Sequence, residues 1–259
     1  MRWFIIFFMA SALTYSQADI LEDIQKTHQL RVCVWPEYYG ISYIDPRMQT
    51  LEGIDVDLAK ELAKTLQANL SFIESSFATL ISDVENHRCD IAMFAIGKTK
   101  QRQEHLYLTS PHLSSDIYAI VSKYNNRIQQ WNDIDKPDII VAVAKGTYHV
   151  DVMKNHLKYA KLLIVDSLHA REQEVEAGRA DVFMTDFPFG IHMVSEHPWA
   201  KLITPTEPFH MTPYGWAIAK NEKKFADRVE SFIKEIKADG RLFKAAKRHQ
   251  LESIIVTKP

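Results

Sequence analysis

Residues 84–93 read V-E-N-H-R-C-D-I-A-M, and residues 175–184, which begin 91 positions later, read V-E-A-G-R-A-D-V-F-M. In each copy a polar helix end is followed by a breaker, an Arg and an Asp, and the Asp opens a short apolar strand. This order is typical of the passage from a helix into a strand of a parallel sheet. The repeat therefore predicts an α/β chain that is built from two similar halves.

The two copies differ in the residues after the strand. The first continues into A-I-G-K-T-K-Q-R, which ends at Arg102, and the second into T-D-F-P, which contains Asp186. Ligands of open α/β sheets bind beyond the carboxyl ends of the strands, so two facing lobes would present a cation from one side and an anion from the other. That pair suits a zwitterion such as an amino acid. The alternative is that both residues are ordinary solvated charges near helix starts.

The first 18 residues read as a secretory signal peptide. Arg2 is followed by an apolar run, and the segment ends in S-Q-A before Asp19, with small residues at the positions that define cleavage. The run is shorter than the roughly 20 residues that a transmembrane helix needs, and no later stretch approaches that length. The sequence predicts a soluble protein that is exported to the periplasm of a Gram-negative-type cell.

The charge of the mature chain argues against nucleic acid as a partner. Removing the signal peptide takes away one Arg and no acidic residue, which leaves 30 Lys and Arg against 33 Asp and Glu, a net charge of −3. The 11 His residues are scattered without the one-turn spacing that would place two imidazoles on one helix face. We therefore expect no metal site and no cofactor.

The first half reads as alternating strands and helices. Apolar runs at residues 30–35, 70–73 and 91–94 predict buried strands, and helical patterns lie between them. The helix after the first strand has an apolar stripe and a charged outer face, and we expect Asp55 or Asp57 to cap it. Right-handed crossovers would place these strands in one parallel sheet.

A second sheet is expected to begin at the apolar run of residues 139–144, and the last apolar strand returns to the first lobe. About 240 residues fit two lobes of roughly 100 residues each. We therefore assign residues 19–120 and 213–259 to the first lobe and residues 121–212 to the second. Two segments then cross between the lobes, which is the arrangement of a hinge that closes around a ligand.

Gly146 and Thr147 follow the first strand of the second sheet and open a helix. Free backbone N–H groups and a hydroxyl at such a position can bind an anion or a ligand carboxylate. The alternative is that Thr147 only caps the helix.

Cys33 and Cys89 both fall in or beside predicted strands of the first half. An oxidising compartment permits a disulfide if those strands are neighbours. The alternative is a pair of buried thiols that pack as small apolar residues.

Six segments of the chain carry a resemblance to a known family: L-R-V-C-V-W-P-E-Y, L-E-G-I-D-V-D-L-A-K-E-L-A, R-C-D-I-A-M-F-A-I-G-K-T-K-Q-R, V-A-K-G-T, G-R-A-D-V-F-M-T-D and D-G-R-L. In these segments the chain resembles the family 3 extracellular solute-binding proteins, the amino-acid receptors of ABC importers, over nearly the whole mature sequence. The resemblance implies the type II periplasmic-binding-protein fold, with two Rossmann-like lobes joined by a two-segment hinge. It also implies a non-catalytic monomer that captures a small amino-acid-like ligand and delivers it to an ABC permease in the inner membrane.

The resemblance also implies roles for individual residues. Arg102 should hold the ligand carboxylate through a bidentate guanidinium, with help from the Thr147 loop, and Asp186 should accept hydrogen bonds from the α-ammonium. Tyr38 occupies the position where an aromatic ring covers the ligand side chain, and Phe77 should line the opposite wall. Both rings could equally be packing residues.

The chain departs from the family pattern in ways that concern specificity. Where many amino-acid receptors carry small hydroxyl residues, this sequence has Phe94, Ala95 and Gly97, so it loses hydroxyl contacts but keeps the backbone N–H groups of the turn. Trp35 stands where receptors for basic amino acids tend to carry an acid, although Glu37 is near. We expect a more apolar and aromatic site, and a lysine or arginine ligand is disfavoured.

Two other functions are open from the sequence. The chain also resembles the periplasmic cyclohexadienyl dehydratases, which need an acid to expel a hydroxide leaving group. The Glu expected in those enzymes about three residues past the T-D is replaced by Phe189. The third reading is an accessory solute-binding-like protein that serves an oxidoreductase or a sensor, which the chain resembles at Cys33 and Cys89.

Overall fold

The structure is a computed structural model, and it describes residues 19–257. The signal peptide expected at residues 1–18 lies outside the described residues. The helices of the described chain are α1 (Ile20–Thr27), α2 (Ile54–Thr65), α3 (Leu80–Glu85), α4 (Lys100–His105), α5 (Tyr148–His156), α6 (Leu168–Glu176), α7 (Phe187–Glu196), α8 (Lys223–Ala238) and α9 (Arg241–Arg248), with short 3₁₀ turns at Trp131–Asp133 and Glu252–Ile254.

Fourteen short strands lie between these helices in the described chain. They are β1 (Gln29–Val34), β2 (Glu37–Tyr38), β3 (Ser42–Ile44), β4 (Leu51–Glu52), β5 (Asn69–Glu74), β6 (Ile91–Gly97), β7 (Leu106–Leu108), β8 (Leu113–Ser115), β9 (Ile117–Ser122), β10 (Ile140–Ala144), β11 (Lys161–Val165), β12 (Val182–Asp186), β13 (Ala200–Ile203) and β14 (Thr212–Ala219).

The strands form two main sheets. The first has the order β5-β1-β6-β14-β7, with β8 also paired to β14, and the second has the order β11-β10-β12-β9-β13. In each sheet the first three strands of this order are parallel to one another. The remaining strands, β14 and β7 in the first sheet and β9 and β13 in the second, each pair antiparallel with their neighbours. The strands β2, β3 and β4 form a small separate sheet. The architecture is the two-lobed α/β fold that the sequence predicts.

The sequence repeat makes the same contacts in both lobes. Arg88 pairs with Asp83 at 2.8 Å and Arg179 pairs with Glu174 at 2.9 Å, and in each case the carboxylate lies five positions back on the preceding helix. The Asp that opens each strand accepts a backbone N–H from the neighbouring parallel strand, at 2.7 Å for Asp90 and 2.8 Å for Asp181. The repeated residues therefore fix the turn from helix to strand.

The position of β9 corrects the expected lobe boundary at residue 120. Ile117–Ser122 pairs with β12 on one side and β13 on the other, both in the second sheet, because its apolar residues are buried there. The chain therefore first crosses at Asp116. That carboxylate also accepts N–H groups from Phe209 at 2.7 Å and His210 at 2.6 Å, which lie on the return crossing. Asp116 ties the two crossing segments together.

The expectation that Asp55 or Asp57 caps α2 is wrong. The N-cap residue is Gly53, and no side chain caps the helix. Asp55 is fully buried and accepts hydrogen bonds from the Ala95 N–H at 2.7 Å, from the Trp216 indole at 2.9 Å and from His112 at 3.0 Å. A carboxylate surrounded by donors in this way fixes β6 and β14 to the helix.

Cys33 and Cys89 form a disulfide in the structure, with their Cα atoms 5.6 Å apart. The bond joins β1 to the turn that leads into β6, next to the parallel pairing of these two strands. It therefore closes a loop across the centre of the first sheet.

Within residues 19–257, no helix is long and apolar enough to cross a bilayer. The same part of the chain contains no group of three or more His, Cys, Asp or Glu residues that could hold a metal ion.

Candidate functional site

Arg102 is a buried cation at the carboxyl end of the first sheet. It lies in α4, which Thr99 caps, and its side chain reaches back to the end of β6. Nη1 donates to the Gly97 carbonyl at 2.9 Å, and Nη2 donates to the Gly146 carbonyl of the second lobe at 3.0 Å. The guanidinium also lies over the Phe77 ring, 4.7 Å from its centroid. Arg102 is 4 % exposed, so the reading of a solvated charge is wrong for this residue.

Burial lowers the pKa of Arg102 to about 10, and neighbouring tyrosines oppose this shift. The guanidinium is therefore still charged at neutral pH. Its two hydrogen bonds go to neutral carbonyl groups, which are weaker partners than a carboxylate.

Asp186 is a buried anion at the carboxyl end of the second sheet. It is 1 % exposed and ends β12, and its Oδ1 accepts the Phe189 N–H at 3.3 Å to cap α7. Oδ2 accepts hydrogen bonds from two hydroxyls of the first lobe, those of Tyr38 and of Tyr214, the latter at 2.8 Å. Burial raises the pKa of Asp186, although these hydrogen bonds act in the opposite direction. Asp186 is therefore also not a solvated charge.

Three tyrosine hydroxyls fill the space next to Asp186. The hydroxyl oxygens of Tyr148 and Tyr214 are 3.1 Å apart. Tyr214 and Tyr38 both donate hydrogen bonds to the Asp186 carboxylate. Tyr38 was predicted from the sequence, and the other two were not. Tyr148 directly follows Gly146-Thr147 at the start of α5, which is the signal that could have found it.

Gly146 brings the second lobe into close contact with the first. Its φ is +78°, and a Cβ atom there would lie 2.5 Å from the backbone of Phe77 and Ala78, so only Gly fits. Thr147 is the N-cap residue of α5, but its hydroxyl donates back to the Ala144 carbonyl at 2.7 Å and makes no side-chain bond to the helix. Thr147 therefore begins the helix as the alternative expects, and in this state its hydroxyl is engaged within its own loop.

Aromatic rings form the first-lobe wall of the cleft. Phe77 packs edge-on against Trp35 at 5.1 Å and Tyr38 at 5.9 Å between ring centroids, and it also contacts Phe94 at 5.0 Å. Tyr38 and Phe77 therefore touch each other, whereas they were expected on opposite walls. The aromatic character expected of the site is present.

The end of β6 offers fewer free N–H groups than expected. The Ala95 N–H donates to the buried carboxylate of Asp55 at 2.7 Å, and Ala95 has a φ of +49°. The Gly97 carbonyl accepts a hydrogen bond from Arg102. A Cβ at Gly97 would lie 3.0 Å from Thr212 and 3.2 Å from Tyr148, so a larger residue would crowd the end of the strand. Ala95 therefore does not offer its N–H to a ligand.

Glu37 connects the lobes at the other side of the cleft. Its carboxylate accepts the backbone N–H of Leu168 at 3.1 Å and of His169 at 3.5 Å, at the N-terminus of α6. A negative charge is favourable there because the first-turn N–H groups are otherwise unpaired. Glu37 lies in β2 of the first lobe, so this contact also holds the lobes together.

The second-lobe wall contains polar residues that were not predicted from the sequence. Arg171, His149 and Thr185 line the same cleft as Tyr38 and Asp186. Arg171 lies in α6 and is 1 % exposed. In the sequence it is followed by Glu172 and Gln173, so it looks like part of a solvated helix face. No periodic signal marks it as buried.

The cleft between these walls is almost closed. The space at its centre measures about 10 Å³, about the volume that one water occupies. The structure is therefore the closed arrangement of the lobes, in which groups of the protein itself satisfy both Arg102 and Asp186.

Two α/β lobes that face each other across a charged cleft and are linked by two crossing segments define a two-lobed binding protein. The chain belongs to the bacterial extracellular solute-binding proteins, family 3, whose model matches residues 30–252.

Relatives within this fold include both a catalyst and binding proteins. The chain is 29% identical over 227 residues to cyclohexadienyl dehydratase of Pseudomonas aeruginosa, a match that covers 85% of this chain and 83% of that protein. It is 23% identical to the ABC transporter glutamine-binding protein of Bacillus subtilis, over 87% of this chain and 82% of that one. The crystal structure of an ancestral amino acid-binding protein, a precursor of cyclohexadienyl dehydratase, matches with a TM-score of 0.81 and 29% identity over 88% of this chain and 98% of its own.

Proposed function

We propose that the protein captures a small amino-acid-like ligand between its lobes and delivers it to an ABC importer. The observation that carries this proposal is the reciprocal bonding of two buried charges. Arg102 of the first lobe donates to a carbonyl of the second, and Asp186 of the second lobe accepts from hydroxyls of the first. A ligand with a carboxylate and an ammonium group supplies stronger partners to the same two residues.

Closure around the ligand is driven by differential contact. In the open form a ligand can reach the groups of one lobe only. When the lobes close on a ligand that takes the place of the Gly146 carbonyl and the tyrosine hydroxyls, it can bond Arg102 and Asp186 together. A ligand shifts an equilibrium only by the difference in its affinity for the two states, so the closed population rises with ligand concentration. The permease then recognises the closed, monomeric protein in the periplasm, and no cofactor or nucleic acid takes part.

A thermal-shift screen of the mature protein against the common L-amino acids tests this function. A ligand present at 100 times its dissociation constant adds about 2.7 kcal/mol to the stability of the folded state. We expect a large shift with one class of amino acid, and a much smaller shift with the same amino acid in Arg102→Ala. Stability that no amino acid changes would contradict the proposal.

The similarity to cyclohexadienyl dehydratase supports a second candidate, a periplasmic dehydratase. Phe189 stands where the acid of such an enzyme is sought, and it contributes an N–H to Asp186 and a ring against Arg171. A phenyl ring cannot deliver a proton to a leaving hydroxide, which favours the binding protein. Incubation with a cyclohexadienyl carboxylate distinguishes the two, because the appearance of the ultraviolet absorbance of an aromatic product would establish the enzyme.

A further inference from the structure

The second-lobe wall of the cleft contains a cluster of buried polar atoms without partners. Five side-chain atoms here have no hydrogen-bond partner among residues 19–257. They are both ring nitrogens of His149, Nε and Nη2 of Arg171, and Oγ1 of Thr185. All three residues line the cleft beside Asp186. Buried polar groups in folded proteins are nearly always paired, so a cluster of unpaired ones at one place needs an explanation.

Arg171 is held in one orientation with one edge of its guanidinium free. Nη1 donates to the Met184 carbonyl at 2.6 Å, and the group packs against the rings of Phe183 and Phe189, at 4.6 Å and 4.4 Å from their centroids. The free atoms Nε and Nη2 form a single edge with two parallel donors. That edge matches the two oxygens of a carboxylate, which is the bidentate geometry that Arg favours.

The charge of Arg171 is not balanced by a carboxylate on its free edge in the described chain. Burial lowers its pKa to about 10 against the attraction of the Glu172 and Asp186 carboxylates nearby, so the guanidinium is charged at neutral pH. Its neighbour Glu172 lies toward His169, 3.7 Å away, and burial raises the pKa of Glu172 to about 7. A buried cation without a bonded anion is costly, whereas a bound anion would remove that cost.

The remaining atoms of the cluster complete a carboxylate site. Burial and the Arg171 guanidinium hold the pKa of His149 well below its usual range, so its ring is neutral and carries one N–H donor. The Thr185 hydroxyl adds another donor. Together with Nε and Nη2 of Arg171 this makes four donors, which equals the number of acceptor positions on one ionised carboxylate.

We propose that Arg171 binds a second carboxylate of the ligand, with His149 and Thr185 beside it, and that the cargo is an amino acid with an acidic side chain. This inference rests on the proposed function, in which Arg102 holds the α-carboxylate and Asp186 the α-ammonium. The competing explanation is structural: Arg171 fills the space between two rings and holds the end of β12 through the Met184 carbonyl.

Calorimetric titration with matched pairs of probes separates these explanations. The probes are L-glutamate and L-aspartate, their amides L-glutamine and L-asparagine, and the amine-free dicarboxylates glutarate and succinate. We expect one acidic amino acid to bind on the order of 30-fold or more tighter than its amide. Arg171→Gln should remove that preference, Arg171→Lys should restore part of it, and the exposed Arg179→Gln should leave it unchanged.

Thermal unfolding of the ligand-free variants gives a second readout that does not depend on the ligand. Arg171→Met keeps an unbranched apolar stem, although a shorter one, and removes the buried charge together with the bond to the Met184 carbonyl. If the unpaired charge is the larger cost, the variant should unfold at the same temperature as the wild type or higher. A much lower unfolding temperature would establish the structural role and overturn the inference.

Each binding outcome bears on one of the two proposals. Tight binding of a neutral or basic amino acid that Arg171→Gln does not alter would overturn the acidic cargo and leave the proposed function standing. Binding of glutarate or succinate that requires Arg171, without binding of any amino acid, would support the carboxylate site and contradict the amino-acid receptor. Failure of the wild type to bind any probe or any other common amino acid would overturn both.

Discussion

The Tyr38 hydroxyl donates a hydrogen bond to Oδ2 of Asp186, and this bond joins the first lobe to the second. Tyr214 donates to the same oxygen at 2.8 Å. Both hydroxyls are neutral donors, and a ligand ammonium would be a stronger partner for this carboxylate. The closed form therefore has defined contacts of its own, and its stability without ligand can be changed by mutation.

Tyr38→Phe should weaken the closed form of the ligand-free protein. The substitution keeps the ring and removes one hydrogen bond to a charged group, a contribution of about 1.5–3 kcal/mol. We expect a larger radius of gyration by small-angle scattering and a lower unfolding temperature. Tyr124→Phe is the control, since Tyr124 is 82% exposed. Unchanged scattering and stability in Tyr38→Phe would show that this contact does not hold the lobes together.

Arg102→Ala and Asp186→Ala should each weaken ligand binding by on the order of 2–5 kcal/mol, because each removes one partner of a buried charge. The measurement is calorimetric titration with the ligand found in the screen. Arg179→Ala is the control, since that side chain is 58% exposed and pairs with Glu174. Near-normal affinity in both cleft variants would show that the ligand binds elsewhere.

Asp55→Ala should destabilise the fold without touching the cleft. It leaves three buried donors unpaired, those of Ala95, His112 and Trp216, at a cost of about 3–5 kcal/mol in denaturant unfolding. Asp57→Ala is the control on the same helix, where the carboxylate is 17% exposed and pairs with Arg248 and His249. Equal losses in the two variants would contradict the role assigned to Asp55.

Glu172 should make the protein less stable as the pH rises from about 4.5 to about 7. Burial raises its pKa to about 7 from a usual 4.5, against the attraction of Arg171 and His169 and with the repulsion of Glu37. The folded state therefore binds more protons than the unfolded state in this window, so the contribution is present at low pH and is lost as the pH increases.

Unfolding temperatures of the wild type and Glu172→Gln across this pH range measure the effect. The wild type should lose stability relative to Glu172→Gln as the pH rises, because the amide does not titrate. Glu174→Gln is a contrasting control, since Arg179 lowers the pKa of Glu174 and its contribution has the opposite sign. If the unfolding temperature of Glu172→Gln depends on pH in the same way as that of the wild type, Glu172 is not the group that titrates in this range.

The disulfide should be present without reductant and should stabilise the protein. An intact-mass thiol count is expected to find no free thiol in the mature protein. Cys33 and Cys89 are 56 positions apart, so their bond lowers the entropy of the unfolded chain by an amount worth about 4 kcal/mol. Cys33→Ser with Cys89→Ser should lose a large part of that stability. Two free thiols in the wild type would rule out the bond.

Local patterns predicted most of the fold because the main elements carry strong signals. The strands β6 and β10 are continuous apolar runs, and β1 and β12 each contain three consecutive apolar residues. The repeat fixes the same helix-to-strand turn in both lobes. The lobe boundary was misplaced since Ile117–Ser122 is apolar whichever sheet it joins. Only pairing with β12 and β13 decides its place.

The site was predicted only in part, because local patterns mark some of its residues and not others. Arg102 and Asp186 follow strands in repeated frames, so their positions could be inferred from the chain. Tyr214 and Arg171 could not, because a tyrosine that opens an apolar strand and an arginine in a polar helix are common on ordinary surfaces and in ordinary cores. Their roles come from residues more than ten positions away, such as Asp186 for Tyr214 and Met184 for Arg171.

The sequence by itself determined the two-lobed α/β fold, the family, and the two charges at the ends of equivalent strands, because these depend on periodicity and on residue order. The tertiary structure decided which groups those charges meet. Hydrogen bonds and burial depend on distances between segments far apart in the chain, so only folding brings Tyr38 to Asp186 and leaves the edge of Arg171 free.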